Sequence, residues 1–312
     1  MAESDSPDRP TVGAFGNTYW AGRLAESLAG TPVRVRRLYV DREGELKGRS
    51  FRQWLADPDP WRCDVLHVLG WPTLWNLWLA ARWRRVPVVY HWLGTDVSSF
   101  RASPRRSRVA GPALGRLIAV HLADSPTLVA ELARLGIRAR HETVGLRSFE
   151  GLTIPPMPAK PCALAMLRPD KFDFYGGREV LEMARLAPEI HWLIVAHDGT
   201  GQPKMSNVEY LGDLDSLDDV YERVGVLVRL TKHDGISQMV LEALARGRHV
   251  VWSYPMPHCR RAATAEDALT ETRAALADGR PNAEGAAYVR STFDPEAQRR
   301  RLVTMYRELA QR

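Results

Sequence analysis

The chain is poor in cysteine and in lysine. Its 312 residues contain three cysteines, Cys63, Cys162 and Cys259, and their number and wide spacing exclude a disulfide framework and a zinc-ligand pattern. Five lysines stand against 38 arginines, so arginine carries most of the net charge of +6. Arginine suits bidentate contacts with phosphate and carboxylate groups. The charge therefore permits an anionic partner without identifying one.

Long hydrophobic runs are also missing. The longest stretch without a formal charge is Val65–Ala81, 17 residues that include His67, Gly70 and Pro72, and this composition does not suit a membrane span. The first ten residues are polar and acidic, unlike a secretory signal peptide. With the widely spaced cysteines, these features predict a cytoplasmic protein.

Short apolar runs of strand character alternate with helical patterns along the chain. The predicted strands are 11–16, 33–40, 64–69, 87–91, 117–121, 140–144, 162–167, 191–196, 208–211, 226–230 and 249–253. Alternation of this kind is typical of βαβ units, in which helices cover both faces of a parallel sheet. The fold class predicted is α/β, with two Rossmann-like domains facing a cleft.

A proline-rich break interrupts the alternation near the middle of the chain. Four prolines fall between residues 151 and 161, which indicates a linker at 155–161. The sequence thus predicts an N-terminal domain over 1–154 and a second domain over 162–293. The pair Asp294-Pro295 is a good cap and first turn for a last helix over 294–312, which can return to the first domain.

Two carboxylates mark the most informative segment, which follows a predicted strand ending near Thr231. Asp234 precedes a helix and Glu242 lies eight residues later inside it. The amides of residues 235–238 begin that helix and favour an anion. One ligand with hydroxyl and phosphate groups, such as a nucleotide-sugar, would suit this set. The alternative is that Asp234 caps the helix and Glu242 is solvated.

The run from Asp234 to Val251, with Gly235, Glu242 and Gly247, resembles the E-x7-E signature of retaining GT-B glycosyltransferases of the family 4 type. It departs from the signature at the first acid, which is aspartate here. The resemblance implies transfer of a sugar from a nucleotide-diphosphate sugar with retention of configuration, without a metal or another cofactor. It also implies that Asp234 contacts the transferred sugar.

Other donor contacts are implied by the same resemblance. Arg168 and Lys171, which follow the first strand after the linker, correspond to the basic residues that hold the donor diphosphate in that family. The segment 194–199, with His197, resembles the turn that binds the base. The remaining donor-binding candidates are Gly235, Ile236, Ser237 and Glu242. The alternative for Arg168 and Lys171 is that both are surface charges on a loop.

The first half of the chain matches the family more loosely. Gly16 and Asn17 follow the first strand, where the family has a glycine loop near the donor. His91 and Asp96 resemble its loop near the sugar and acceptor, and Ser125 matches a small polar position on the acceptor side. The simpler alternatives are a turn glycine for Gly16, a structural role for His91 and a helix cap for Ser125.

The mechanism implied depends on charge. Arg168, Lys171 and the helix amides would stabilise negative charge as it develops on the departing diphosphate. The acceptor hydroxyl would enter from the same face of the sugar, and the departing phosphate oxygen would take its proton. Arg168, Lys171, Asp234 and His91 are the catalytic candidates.

Three further features have alternative interpretations. Asp213 and Asp215 form a D-x-D pattern, which we interpret as part of a helix start and not as a metal site. Trp71, Trp75 and Trp78 form one helical stripe, for which core packing is the first interpretation and a hydrophobic acceptor or membrane surface the second. A short basic run over 101–108 leaves a peripheral membrane contact open, at the inner face of the membrane.

Rival functions are only partly excluded. No G-x-G-x-x-G follows the strands at 11–16 and 162–167, which argues against an NAD-dependent oxidoreductase. A nucleotide-sugar epimerase of the same fold and a non-catalytic nucleotide-sugar-binding relative remain open. No nucleic-acid motif is present. The partners expected are a nucleotide-sugar donor and a glycan, lipid-linked or small-molecule acceptor.

Overall fold

The structure, a computed structural model, describes residues 9–70, 75–102 and 113–312. It divides the chain into two compact units. The first runs up to Ser148 and includes Asp294–Arg312, and the second is Phe149–Phe293. The sequence placed this boundary at 154–155 and treated 155–161 as a linker.

The first unit contains one sheet of six parallel strands. The strands are β1 (Thr11–Phe15), β2 (Arg34–Leu38), β3 (Val65–Leu69), β4 (Val88–Trp92), β5 (Val120–Ala123) and β6 (Ala139–His141). Their order in the sheet is β2-β1-β3-β4-β5-β6. β3 and β4 are buried along their whole length, as expected of parallel strands covered on both faces.

Helices pack on this sheet. They are α1 (Thr18–Ser27), α2 (Glu43–Leu46), α3 (Phe51–Ala56), α4 (Trp75–Arg84), α5 (Thr95–Arg101), α6 (Pro126–Arg134) and the C-terminal α12 (Pro295–Ala310), with a 3₁₀ turn at Asp59–Trp61. Residues 113–117 are also helical.

Two core layers lie on opposite faces of the first sheet. Along β3 the side chains alternate with period two, so that Leu66 and Val68 join one layer while Val65 and Leu69 join the other. The last helix completes the second layer with Leu302, Tyr306 and Leu309. Asp294 begins that helix by accepting from two backbone amides, as the sequence predicts.

The second unit contains another sheet of six parallel strands. The strands are β7 (Cys162–Met166), β8 (His191–Val195), β9 (Val208–Gly212), β10 (Val226–Arg229), β11 (His249–Trp252) and β12 (Arg260–Arg261). Their order is β12-β11-β10-β7-β8-β9. The helices are α7 (Gly177–Leu186), α8 (Asp218–Arg223), α9 (Gln238–Ala245), α10 (Ala265–Ala277) and α11 (Ala283–Thr292), with a 3₁₀ helix at Pro169–Phe174.

The proline-rich segment belongs to the second unit. The buried guanidinium of Arg248 donates to the carbonyl of Pro156 at 3.0 Å, and Arg290 donates to the carbonyl of Leu152 at 2.6 Å. These bonds fix the backbone ahead of β7 to the unit that follows it.

The predicted elements differ from the observed ones mainly in short segments. The two-residue strand β12 has no counterpart among the predicted strands. Helices α10 and α11 are separated at 278–282, where Gly279 has a φ of 67° and a proline follows.

Candidate functional site

Each sheet reverses its strand order at one point. In the second unit the chain builds outward from β7 through β8 to β9 and then returns to the other side of β7 with β10. Ligands of open α/β sheets bind outside the carboxyl ends of the strands at such a switch point. The residues that follow β7 and β10 are therefore the first candidates, and Arg168 and Asp234 are among them.

The loops after β7 and β10 are fastened together. Gly176 has a φ of 72°, and a Cβ at this position would lie 2.6 Å from the carbonyl oxygen of Leu230. The amide of Lys232 donates to the carbonyl of Phe174 at 2.9 Å. The guanidinium of Arg229 lies 5.6 Å from the centroid of the Tyr175 ring. At the switch point, the loops after β7 and β10 are therefore held together by direct contacts.

Charged groups of both loops act on the hydroxyl of Tyr175. Burial raises the pKa of its hydroxyl, and the charges of Arg229, Asp234, Arg168 and Asp170 act on it as well. The structure therefore brings Arg168 and Asp234 to one place, although 66 positions separate them in sequence. This is the electrostatic centre of the candidate site.

Arg168 is accessible. Its side chain is 53% exposed, and its Nε donates to Asp170 at 3.0 Å. This bond raises the pKa of Arg168 and lowers that of Asp170. An exposed pair of this kind contributes little to stability, so a ligand phosphate could replace the carboxylate. Lys171 is exposed in the same 3₁₀ helix, and its backbone amide donates to the carbonyl of Arg168.

Asp234 is mostly buried and is paired. Its Oδ2 accepts from Arg229 Nε at 2.6 Å and from Thr231 Oγ1 at 3.2 Å. Gly235, Ile236 and Ser237 follow as a buried loop, and helix α9 begins after Ser237. The positive end of that helix thus lies in the chain directly after the loop that bears Asp234.

Glu242 has a different partner. The hydroxyl of the buried Tyr221 donates to Glu242 Oε2 and to the carbonyl of Met239, both at 3.2 Å. Burial and the charge of Glu242 raise the pKa of Tyr221. Glu242 is half-buried, and its predicted contact with the donor stays a prediction.

His197 is buried in the turn after β8. Its Nδ1 accepts from the amide of Gly199 at 2.9 Å, and its ring lies against those of Phe172 and Tyr210. Ala196, just before it, has a φ of 61°, a conformation that non-glycine residues adopt rarely. The histidine shapes this turn, and its predicted contact with the base stays a prediction.

In the first unit, Gly16 and Asn17 lie at the corresponding switch point, between β1 and β3. A Cβ on Gly16 would lie 3.0 Å from Cβ of Leu69 and 3.2 Å from its carbonyl oxygen, so the loop passes close to the end of β3. The side chain of Asn17 accepts from the amide of Trp20 and caps α1.

His91 is enclosed in the first unit, and both of its ring nitrogens are engaged. Nε2 lies 2.7 Å from the carbonyl of Glu142, which can only accept, so Nε2 donates. Nδ1 therefore accepts from His67 Nε2 at 3.3 Å, and His67 Nδ1 accepts from Tyr306 Oη at 2.5 Å. This chain of bonds gives His91 a structural role, and its predicted catalytic role stays a prediction.

Asp96 and Ser125 also hold local backbone. Asp96 is buried and accepts from the amides of Leu93, Gly94 and Val97. Burial raises its pKa against these hydrogen bonds. Ser125 caps α6 by accepting from the amide of Leu128 at 3.2 Å. The capping interpretation of Ser125 is thus confirmed.

The remaining sequence features fall outside the site. Trp78 is fully buried and Trp75 packs beside it, so core packing is correct for both, while Trp71 and residues 103–108 lie outside the described residues. The amide of Asp218 in α8 is capped by Ser216, in place of the neighbouring Asp213 or Asp215. Within the ranges 9–70, 75–102 and 113–312, no group of three or more potential metal ligands is present, and no helix is long and apolar enough to cross a membrane.

A comparison with protein families matches the first part of the chain. Residues 9–146 match the family model described as a glycosyl transferase 4-like domain. This match, which covers less than half of the chain, supports a transferase enzyme. The sequence has no significant match among curated proteins.

Solved glycosyltransferases share its fold. Sucrose-phosphate synthase from Thermosynechococcus elongatus is 16% identical with a TM-score of 0.75, over 96% of this chain and 99% of that one. Anabaena HepE, solved with UDP-glucose, is 12% identical with a TM-score of 0.70, over 95% and 99%. A glycosyltransferase from Rickettsia africae is 10% identical with a TM-score of 0.65, over 96% and 98%. These similarities establish the GT-B fold.

Arg229 is a residue of the candidate site that the sequence patterns did not identify. It ends the apolar strand β10, is itself largely buried, and holds Asp234. A charged residue that closes a buried strand at its carboxyl end was the available signal. Tyr175 is the second addition, because the Arg229 guanidinium lies 5.6 Å from its ring and charges of both loops act on its hydroxyl.

Proposed function

We propose that this protein is a glycosyltransferase that moves a sugar from a nucleotide-diphosphate sugar to a hydroxyl acceptor with retention of configuration. The observation that supports it is the junction of the loops after β7 and β10, which gathers Arg168, Arg229 and Asp234 around Tyr175. Cations and a carboxylate at a switch point suit a diphosphate joined to a sugar.

The diphosphate is assigned to Arg168, with Lys171 beside it. Arg168 is half-exposed and forms a surface pair with Asp170, so its planar guanidinium can turn to phosphate oxygens at small cost. The N-terminus of α9 adds the positive end of a helix dipole. Fixed positive charge of this kind stabilises a departing diphosphate.

The sugar is assigned to Asp234. Both of its hydrogen bonds go to Oδ2, and within the described part of the chain Oδ1 has no hydrogen-bond partner. Oδ1 can therefore accept from a sugar hydroxyl while Arg229 keeps the carboxylate in position. Glu242, held by Tyr221, is assigned to the ribose hydroxyls.

The proposed reaction is a front-face displacement. The bond between the anomeric carbon and the phosphate oxygen breaks, and the acceptor oxygen bonds to the same carbon from the same face. The acceptor proton moves to the departing phosphate oxygen, so the nucleoside diphosphate leaves with it. In this proposal the protein's own cations balance the charge, without a metal or cofactor.

A uridine nucleotide is the first donor to test, because the HepE structure with the same fold was solved with UDP-glucose. The acceptor class remains a glycan, a lipid-linked sugar or a small molecule. A cytoplasmic location is part of the proposal and is supported by the unpaired cysteines Cys63, Cys162 and Cys259.

A thermal-shift panel of nucleoside diphosphates and nucleotide-sugars tests the proposal. A ligand that binds the folded state raises the unfolding midpoint, and UDP or a UDP-sugar is expected to do so. A panel in which no uridine, guanosine, adenosine or thymidine diphosphate raises the midpoint would contradict the donor site. Isomerisation of a free nucleotide-sugar without an acceptor would instead favour the epimerase alternative.

A further inference from the structure

One face of the first unit carries apolar side chains that the core does not use. On α4, Trp83 is 72% exposed and Leu79 is 46% exposed. They are four residues apart and so lie on the same side of the helix. Other tryptophans of this unit, Trp54, Trp78 and Trp92, are fully buried. We name the exposed face formed by α3 and α4 the α3–α4 surface.

The α3–α4 surface is held in place by specific contacts. The ring of Phe51 on α3 meets Trp83 edge to face at 6.3 Å. Arg84 donates to the carbonyl of Leu55 at 2.7 Å, and Asn76 donates to the carbonyl of Arg49 at 2.8 Å. The indole is therefore presented to solvent by a fixed pair of helices.

Positive charge predominates along the two helices. Residues 46–56 and 75–86 contain six cations and no aspartate or glutamate: Lys47, Arg49, Arg52, Arg82, Arg84 and Arg85. Arg49 is neutralised by Asp57 at 2.7 Å. Arg52, Arg82 and Arg85 are exposed, and none of them pairs with a carboxylate of the described residues. Arg82 and Arg84 lie in the last turn of α4, where positive charge stabilises the helix end. Arg52 and Arg85 lie outside that turn, so this effect does not explain their presence.

We propose that the α3–α4 surface binds an anionic lipid membrane. An exposed indole beside an exposed leucine enters the boundary between headgroups and acyl chains, and the arginines contact anionic headgroups. A second copy of the same surface would bring like charges together. A nucleic acid would use the arginines but would leave Leu79 in water. The inference concerns the first unit alone and goes beyond the proposed sugar transfer.

Sedimentation of the full chain with vesicles tests this binding. The protein should bind vesicles of phosphatidylcholine that contain phosphatidylglycerol, more tightly as the anionic share rises and less tightly as salt rises. Replacing Arg82→Glu together with Arg85→Glu should weaken binding by at least about thirtyfold. Trp83→Ala should weaken it by at least about fivefold.

Matched variants on other faces provide the controls. Arg261→Glu with Arg307→Glu makes the same change in charge at two exposed positions, and Leu186→Ala removes an apolar side chain that is 50% exposed on α7. Both controls should retain wild-type binding. Equal binding to pure phosphatidylcholine, equal losses in the controls, or a chain that never sediments with vesicles would each overturn the proposal.

Two further measurements separate this proposal from its rivals. If Trp83→Ala dissociates a dimer and leaves vesicle binding unchanged, the surface is an interface between copies and the membrane proposal is wrong. If a nucleic-acid duplex binds and anionic vesicles do not, the proposal is equally wrong. Calorimetric UDP affinity should be unchanged in the surface variants. If the wild-type protein binds vesicles but does not bind UDP, that result would count against the donor site alone.

Discussion

Arg229 and Asp234 form an ion pair that is largely removed from water, with Nε and Oδ2 2.6 Å apart. Removing one partner of such a pair leaves the other charge buried and uncompensated, which is costly. The pair therefore fixes the position of the Asp234 carboxylate. Its Oδ1 is left to contact a ligand. The shorter aspartate, where the family signature has glutamate, is compatible with a neighbour as close as Arg229.

Substitutions of Asp234 and Glu242 should change different kinetic constants. Asp234→Asn should lower kcat by roughly 10- to 150-fold, because a contact that orients the reacting sugar acts mainly in the transition state. Glu242→Gln should mainly raise the donor KM, because a ribose contact acts equally in both states. Steady-state kinetics with the donor identified by the binding panel measures both effects.

Glu189→Gln is the control for these variants, because Glu189 is an exposed acid of the same unit that pairs with Arg273. It should leave kcat and KM unchanged. If Asp234→Asn and Glu242→Gln lower the unfolding midpoint but leave the kinetics of the folded protein unchanged, both acids are structural and their assignment to the donor is wrong.

Arg168→Ala should weaken the affinity for a nucleoside diphosphate by about 1.5–3 kcal/mol, the range for hydrogen bonds to charged groups. Arg185→Ala removes another exposed arginine of the same unit, one that pairs with Glu182, and should leave the affinity unchanged. Isothermal titration calorimetry measures both. Equal affinity of wild type and Arg168→Ala would remove Arg168 from the donor site.

At the scale of elements, the loop that carries Tyr175 depends on the backbone of Gly176. An alanine there would adopt a left-handed conformation and place Cβ against the carbonyl of Leu230. Conformational strain and the backbone clash together should lower the free energy of unfolding by about 2–5 kcal/mol. Urea unfolding with Gly176→Ala measures the loss.

Gly201→Ala is the matched control, because Gly201 has a φ of 76° and a Cβ added there would meet no atom of the described residues within 4 Å. Its free energy of unfolding should fall only by the cost of the left-handed conformation, about 1–2 kcal/mol. Equal losses for the two glycines would show that the loops after β7 and β10 are not held together at Gly176.

The bonded histidines join the last helix to the first sheet and should make the stability of that unit sensitive to pH. Burial lowers the pKa of His67 and, to about 4, that of His91, from the ordinary 6.5. Below pH 6.5 the unfolded chain therefore binds protons that the folded chain does not. Stability is full above about pH 6.5 and falls towards pH 4, by up to about 1.4 kcal/mol per pH unit for each histidine.

Urea unfolding at a series of pH values between about 7 and 4.5 measures this slope. His91→Asn removes one of the titrating groups and should make the slope shallower, whatever it does to stability at neutral pH. His191→Asn, at a half-exposed histidine of the other unit, should retain the wild-type slope. A slope in His91→Asn equal to that of the wild type would contradict the assignment of His91 as a buried neutral residue.

The sequence predicts long elements better than their connections. The apolar runs of β3 and β10 identify those strands from residues alone, because burial on both faces demands continuous hydrophobicity. Helix α3 is only six residues long and has no hydrophobic period, although its capping box of Ser50 and Gln53 was readable. The position of His91 was predicted near a strand end, but its bonds to His67 and Glu142 come from distant parts of the chain.

At the scale of the whole molecule, the chain builds two six-stranded parallel sheets, and each has a switch point near which predicted donor residues lie. The charged candidates, Arg168 and Asp234, belong to the second unit, where Arg229 and Tyr175 join them. In the first unit, the backbone at Gly16 passes close to the end of β3, and Asn17 caps α1. The sequence could place the charges at strand ends, but only the strand order shows that β7 and β10 are neighbours.

The anomeric configuration of the first product tests the central claim most directly. With an α-linked nucleotide-sugar donor, proton NMR should show an α-linked product, or α-sugar released first when water is the acceptor. That result follows from a front-face displacement beside Asp234 and Arg168. A β-linked product, or β-sugar released first, would contradict the retaining mechanism even with the fold and the donor site unchanged.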